Sequence, residues 1–314
     1  MTRVAAIDCG TNSIRLLIAD VTEDGWLHDV HREMRVVRLG QGVDATGEFA
    51  PEAIARTRVA LTDYAAALRR HSVTRVRMVA TSAARDAGNR DEFFEMTSEI
   101  LGAVVPGAIA EVITGEEEAG LSFYGAVAEM DAAGAPFVVV DLGGGSTEVV
   151  LGDGTGVSTG FSADIGCVRL TERCLHSDPP TPAEVEAARG VVRQLLGQAL
   201  QVVPVDRANT WVGVAGTFTT IAALAQDLTT YDAEAIHLST VPLGRLHQVC
   251  DELIAMTRKQ RAALGPMHEG RVDVIGGGAI IVQELARVLS ERAGIETLTV
   301  SEHDILDGIA YSIA

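Results

Sequence analysis

One long-period repeat constrains the fold more than any other feature of the chain. Residues 4–20 read VAAIDCGTNSIRLLIAD and residues 137–153 read FVVVDLGGGSTEVVLGD. Each is an apolar run, an Asp-x-Gly-x-x-Ser turn and a second apolar run. Asp8 and Asp141 stand 133 residues apart, as do Ser13 and Ser146. Two copies of one supersecondary unit at that spacing predict two domains of related fold. Around the copies, apolar runs of strand length alternate with segments of helical spacing. Strands are expected near 3–8, 13–21, 32–39, 73–81 and 110–113 in the first half. In the second half they are expected near 137–141, 147–151, 157–165, 210–214 and 297–300, with another over 272–275 leading into Gly276–Gly278. Helices are expected at 51–71, 91–101, after Thr114, and at 182–203, 217–225, 246–264 and 303–313. The alternation gives an α/β class, and the hairpin opening each half makes the sheets mixed.

Composition limits the partners. At 314 residues with 47% hydrophobic and 22% charged side chains, the chain is of ordinary globular type. No stretch approaches the ~20 apolar residues of a membrane helix, so a soluble, cytoplasmic protein is expected. Cys9, Cys167, Cys174 and Cys250 show no C-x-x-C spacing and read as small buried hydrophobes. A net charge of −18 repels nucleic acid and anionic membranes, so neither is expected as a partner. It equally repels a phosphate polymer, unless a cation, backbone N–H groups or placed arginines intervene.

The two turns offer such help. In Asp-x-Gly-x-x-Ser the glycine lets backbone N–H groups converge on an anion, the Ser hydroxyl adds a donor, and the strand-end Asp is a hard oxygen ligand. Asp and Gly also favour turns for conformational reasons, so one copy alone says little. In the second copy three glycines precede Ser146, Thr147 and Glu148, and Glu148 reads either as a second metal carboxylate or as an exposed strand charge. Glu116, Glu117 and Glu118 follow Thr114. They suit a capped helix start, and one of them also suits a general base; spacing does not choose which. Arg85, just past a strand, reads as a phosphate clamp or a surface ion pair. Gly213–Ile221 and Asp273–Ile281 each place glycine before a helix, where phosphate or close packing is served equally. His28 and His31 are placed near an exposed turn, and the eight histidines suggest no metal cluster.

In order, DCGTNS, TSAARDAGN, GEEEAGLSF, DLGGGSTE, GVAGTFTT and GRVDVIGGG closely resemble the exopolyphosphatase/guanosine pentaphosphate phosphohydrolase family over nearly the whole chain. The resemblance implies two ribonuclease H-like domains of the actin-like ATPase superfamily around an interdomain cleft. The expected bounds are 1–122 and 123–301, with a helix at 302–314 packing back on the first domain. It implies Glu118 as catalytic base and Asp141 and Glu148 as ligands of Mg²⁺ (or Mn²⁺), supported by Asp8. Gly10, Thr11, Asn12, Ser13, Arg85, Gly143, Gly144, Gly145, Ser146 and Thr147 would hold the substrate. That substrate is inorganic polyphosphate, with guanosine pentaphosphate as the alternative; a sugar-kinase-like enzyme and a non-catalytic phosphate or nucleotide sensor are further readings. Where relatives carry Arg-Glu-Gly this chain has Leu306, Asp307 and Gly308, a lost positive charge expected to weaken handling of long chains. Oligomeric state, a homodimer included, is not fixed by these residues.

Overall fold

Residues 4–7 are apolar at every position because the strand that contains them, β1 (Thr2–Cys9), is covered on both faces. Ala5, Ile7 and Cys9 pack with Leu61, Tyr64 and Leu68 of the helix Pro51–Arg70. Val4 and Ala6 pack with Ile305, Leu306 and Ile309 of the helix Ile305–Ser312. The computed structural model describes residues 2–314 and divides the chain into two compact units. One runs to Gly125 and resumes over Ile305–Ala314; the other is Ala126–Asp304.

In the first unit β2 (Ser13–Val21) and β3 (Leu27–Val36) extend β1 antiparallel, while β4 (Arg75–Ala80) and β5 (Ala110–Val112) add in parallel, in the order β3-β2-β1-β4-β5. In the second, β6 (Phe137–Leu142), β7 (Thr147–Asp153) and β8 (Gly156–Ala163) form the matching meander. There β9 (Thr210–Val214) and β11 (Thr297–Val300) take the places of β4 and β5, and β10 (Ser239–Pro242) pairs antiparallel on the edge, giving β10-β11-β9-β6-β7-β8. The sequence repeat is thus a repeat of sheet topology. Among the described residues no helix is long and apolar enough to cross a membrane.

Several local expectations change. The segment 246–264 is two helices, Leu243–Ala255 and Arg258–Ala262, because Met256 is extended and Thr257 caps the second helix reciprocally with Gln260. The third strand begins at Leu27, so His28 and His31 lie in a strand and not at a turn. His31 is half-buried, 3.1 Å from Glu33 and stacked on His71. No strand precedes Gly276–Gly278; all three glycines lie in the first turns of the helix Ile275–Ala293. A Cβ at 276, 277 or 278 would stand 2.7, 2.5 or 2.7 Å from Arg261, Thr171 or Thr217, so close side-chain packing on the helix selects glycine there.

Leu306 and Asp307 also acquire a structural role. Leu306 lies in the apolar cluster under β1, and the buried Asp307 carboxylate receives the Arg32 guanidinium through both terminal nitrogens. The position that departs from the relatives' pattern therefore anchors the last helix to β3. Asp307→Ala leaves Arg32 without this buried counter-charge and is expected to destabilise the protein by about 3 kcal/mol. Thermal unfolding should show a Tm lower by roughly 6 °C or more. An unchanged Tm would mean that the pair is not holding the helix.

Candidate active site

Both Asp-Gly turns close with the same hydrogen bond, Gly10 N–H to the Ser13 carbonyl at 2.9 Å and Gly143 N–H to the Ser146 carbonyl at 3.0 Å. Their remaining carbonyls are drawn to one side. In the first turn the Thr11 carbonyl accepts from Gly40 N–H (2.9 Å), and the Asn12 carbonyl accepts from Val37 and Arg38 N–H (3.1 and 2.8 Å). In the second the Gly143 carbonyl accepts from Cys167 N–H (3.0 Å), and the Gly144 carbonyl from Val168 and Arg169 N–H (3.0 and 3.1 Å). A trans peptide is planar with N–H and C=O opposed. The N–H groups of Asn12 and Ser13, and of Gly144 and Gly145, are therefore turned the other way in successive pairs, the geometry of an anion nest.

Neighbouring residues enforce this. A Cβ on Gly166 would lie 2.4 Å from the Gly144 carbonyl, so only glycine lets the helix Cys167–Cys174 start against the second turn. In the first turn the buried Thr11 hydroxyl makes no hydrogen bond within the protein, an open donor beside the nest. Ser146 is buried in its turn, as expected of a group held against a ligand or a core. The Thr147 hydroxyl donates 2.5 Å to the Ile165 carbonyl and its side chain is fully buried, so it braces the turn.

The two strand-end aspartates differ in what stands across from them. Asp8 faces Arg15 in the β1–β2 register, and Arg15 donates Nη2 and Nε to its Oδ2 at 2.8 and 3.0 Å. The corresponding position in the second copy is Glu148, directly opposite Asp141. Asp141 and Glu148 are 6% and 1% exposed, and Ser162 on β8 donates to Glu148 Oε1 at 2.6 Å. Like charges facing across a strand pair repel. Two buried carboxylates so placed are hard oxygen donors and fit a divalent cation of the Mg²⁺ kind. For Asp8, expected to support that metal, the protein itself supplies the counter-charge.

Glu118 separates from its neighbours by burial. Glu116 and Glu117 are exposed at the start of the helix Gly115–Val127, with Glu117 N–H on the Thr114 hydroxyl and its carboxylate on Arg77. Glu118, one residue on, turns inward to 7% exposure. Arg85 donates to its Oε2 at 2.6 Å and to the Ile113 carbonyl at 3.2 Å. Burial pushes the Glu118 carboxyl up to about 7 despite the pull of Arg85; the nearby Asp8 adds to the rise and the Thr81 hydroxyl opposes it. A carboxyl poised near neutrality is suited to accept a proton from water.

The Ppx/GppA phosphatase family model matches residues 17–312. The chain belongs to this family. It is 72% identical over 317 residues to Exopolyphosphatase 2 of Mycobacterium tuberculosis, an alignment covering 100% of this chain and 99% of that protein. A solved exopolyphosphatase-like protein is 44% identical, with TM-score 0.94 and coverage of 99% and 97%. The Aquifex aeolicus member of the Ppx/GppA family is 33% identical, with TM-score 0.80 and coverage of 99% and 97%. The fold is accordingly the α/β, two-domain, actin-like type with a mixed sheet in each domain.

In this Ppx/GppA chain, three residues that the motifs did not single out stand against the two turns and their carboxylates. Arg15 carries the charge of the first turn, Ser162 orients Glu148, and Arg169, 9% exposed, gives its backbone N–H to Gly144. The Arg15/Glu148 contrast was visible in the aligned repeat as the residue seven places after each Asp. Nothing in the sequence marked Ser162, which reaches Glu148 only through the β7–β8 register.

Proposed function

We propose that this chain, an exopolyphosphatase by its family and by its 72% identical relative, releases terminal orthophosphate from inorganic polyphosphate, with short chains preferred. The observation that carries the reading is the matched pair of turns, each with successive carbonyls bonded on one side and the N–H groups turned to the other, together with a buried Glu118 whose carboxyl is raised to about 7. Asn12, Ser13, Gly144 and Gly145 bind phosphate oxygens through the backbone, and the Thr11 and Ser146 hydroxyls add donors. Arg85 holds Glu118 and offers guanidinium to phosphate. Glu118 takes a proton from the attacking water as its oxygen bonds to the terminal phosphorus; the anhydride P–O bond breaks and leaves the chain one phosphate shorter. Asp141 and Glu148, the latter oriented by Ser162, would hold Mg²⁺. When bound, that ion would screen the substrate's negative charge and stabilise the charge that develops on the leaving, shortened chain. It also answers the repulsion expected between a chain of net charge −18 and a polyanion.

The test is orthophosphate release from short polyphosphate, long polyphosphate, guanosine pentaphosphate and ATP at matched Mg²⁺. Short polyphosphate should give the highest kcat/KM. A higher value with guanosine pentaphosphate would transfer the assignment to the nucleotide, and absence of release from all four would overturn it. Family membership and full-length identity to a named exopolyphosphatase weigh against the kinase and sensor readings.

The raised Glu118 pKa sets a pH dependence. A base must be ionised, so kcat/KM should climb through an apparent pKa of about 7 and level off above it. Stability moves oppositely: the folded state binds this proton more tightly than the unfolded chain. The contribution is full below the ordinary Glu range and is lost as pH rises through about 7. A kcat/KM profile flat between pH 5.5 and 8 would remove Glu118 from the proton transfer.

A further inference from the structure

We propose that Glu129, His237 and His303 form a second metal site, on the unit Ala126–Asp304, that takes a zinc-class transition-metal ion and not Mg²⁺. Each of the three contributes one ligand atom, and these atoms all lie within 4.8 Å of one another. Among the described residues this is the only such group of His, Cys, Asp and Glu, so the histidines do converge although their spacing in the sequence gave no sign of it.

The convergence follows from strand register. His237 lies two residues before β10 and His303 three residues after β11, and these strands pair antiparallel with Ser239 opposite Val300. Continuing the pairing, Leu238 N–H bonds the Val300 carbonyl at 2.7 Å and Glu302 N–H bonds His237 Nδ1 at 3.2 Å. Leu238 is held at φ 56°, an unfavourable setting for leucine that turns His237 out of the strand line. His303 is fixed by the Ser301 hydroxyl, which accepts from its N–H at 3.0 Å and donates to its carbonyl at 2.9 Å. The two imidazoles lie 4.5 Å apart between centroids, and Glu129, from the segment after the helix Gly115–Val127, faces a nitrogen of each.

The spacing suits a small ion. His237 Nε2 is 3.1 Å from Glu129 Oε2, and His303 Nδ1 is 3.6 Å from Glu129 Oε1. Tetrahedral ligands at the ~2.0–2.1 Å bonds of zinc are separated from one another by about 3.3 Å. Two imidazoles and one carboxylate favour zinc, nickel or copper over the all-oxygen preference of Mg²⁺. All three side chains are partly exposed, which leaves water to complete the coordination. In the ion-free protein His237 Nδ1 accepts from Glu302, so Nε2 carries the ring proton and donates it to Glu129. On metal binding Nε2 bonds the ion, that proton moves to Nδ1, and the Glu302 hydrogen bond is released. Glu129 stands near the beginning of this unit and His303 near its end, so the ion cross-links the two ends through His237.

The experiment uses the full chain stripped with chelator and kept in millimolar Mg²⁺, which occupies the oxygen site. Calorimetric titration with Zn²⁺ should give one ion per chain. Co²⁺ should give the visible absorption of a four-coordinate nitrogen and oxygen site. His237→Ala and His303→Ala should each weaken Zn²⁺ binding at least tenfold, and Glu129→Gln, at an exposed position, should weaken it as well. Zn²⁺ at a hundred times its Kd should raise the wild-type Tm by roughly 5 °C or more and leave the His237→Ala Tm unmoved. Phosphate release supported by Mg²⁺ alone should match wild type in all three variants, so this result stands or falls separately from the phosphohydrolase reading. Unchanged Zn²⁺ affinity in Glu129→Gln and both histidine variants would overturn the proposal, as would absence of a Co²⁺ band.

Discussion

Glu118→Gln should lower kcat by roughly 10²–10⁴-fold, the range a positioned general base contributes, while the protein stays folded. Glutamine has nearly the same shape, and its carbonyl oxygen still accepts from Arg85 across the 2.6 Å contact, so the buried side chain keeps a partner. What it loses is the capacity to take a proton. The pH limb near 7 should vanish from whatever activity remains, because that limb belongs to this carboxyl. Glu117→Gln provides the control. Glu117 stands one residue earlier in the same acidic run, but it is exposed and paired with Arg77. Its removal should change phosphate release less than twofold, as for a surface ion pair worth about 1 kcal/mol or less. Near-wild-type turnover by folded Glu118→Gln would sink the assignment of the base.

Glu148→Gln should raise the Mg²⁺ concentration for half-maximal activity by one to two orders of magnitude, about 10–100-fold or more. Glutamine still accepts the Ser162 hydroxyl, yet it offers a cation no net charge. Across from it, Asp141 would keep a single carboxylate where the pair supplied two. Ser162→Ala should shift the same titration in the same direction by less, since it frees Glu148 to rotate without removing its charge. Thermal unfolding without Mg²⁺ gives a readout independent of turnover. Glutamine is near-isosteric and keeps the Ser162 hydrogen bond, so Glu148→Gln should stay folded with a Tm close to wild type when the cation is absent. A superimposable Mg²⁺ titration for Glu148→Gln would remove it from the metal site.

How much of this was legible in the residues depended on distance along the chain. The strand–turn–strand units were legible because alternation, glycine and apolar runs are local signals. The repeat predicted two domains of related fold, and the two sheets share the order of their first strands. The long helical segment 246–264 was misread because its amphipathic spacing continues across Met256 and Thr257. The break rests on a cap that Thr257 makes with Gln260, a weak signal in a sequence that otherwise stays helical. Gly276–Gly278 looked like a loop before a helix, because the sequence does not say whether glycine serves a turn or a neighbour's approach. Here Thr171 and Thr217, far away in the chain, decide it.

The two Asp-Gly turns, their shared hydrogen-bond closure and the carboxylates around them were determined by the sequence itself, since each depends on neighbours within a few residues. Tertiary structure alone decided which glutamate of three is buried, that Asp307 anchors Arg32, and that Glu129, His237 and His303 meet. The physical reason is the same in each case. Burial, charge pairing and ligand convergence depend on which side chains approach through space. Spacing along the chain fixes that only within one helix turn or one hairpin.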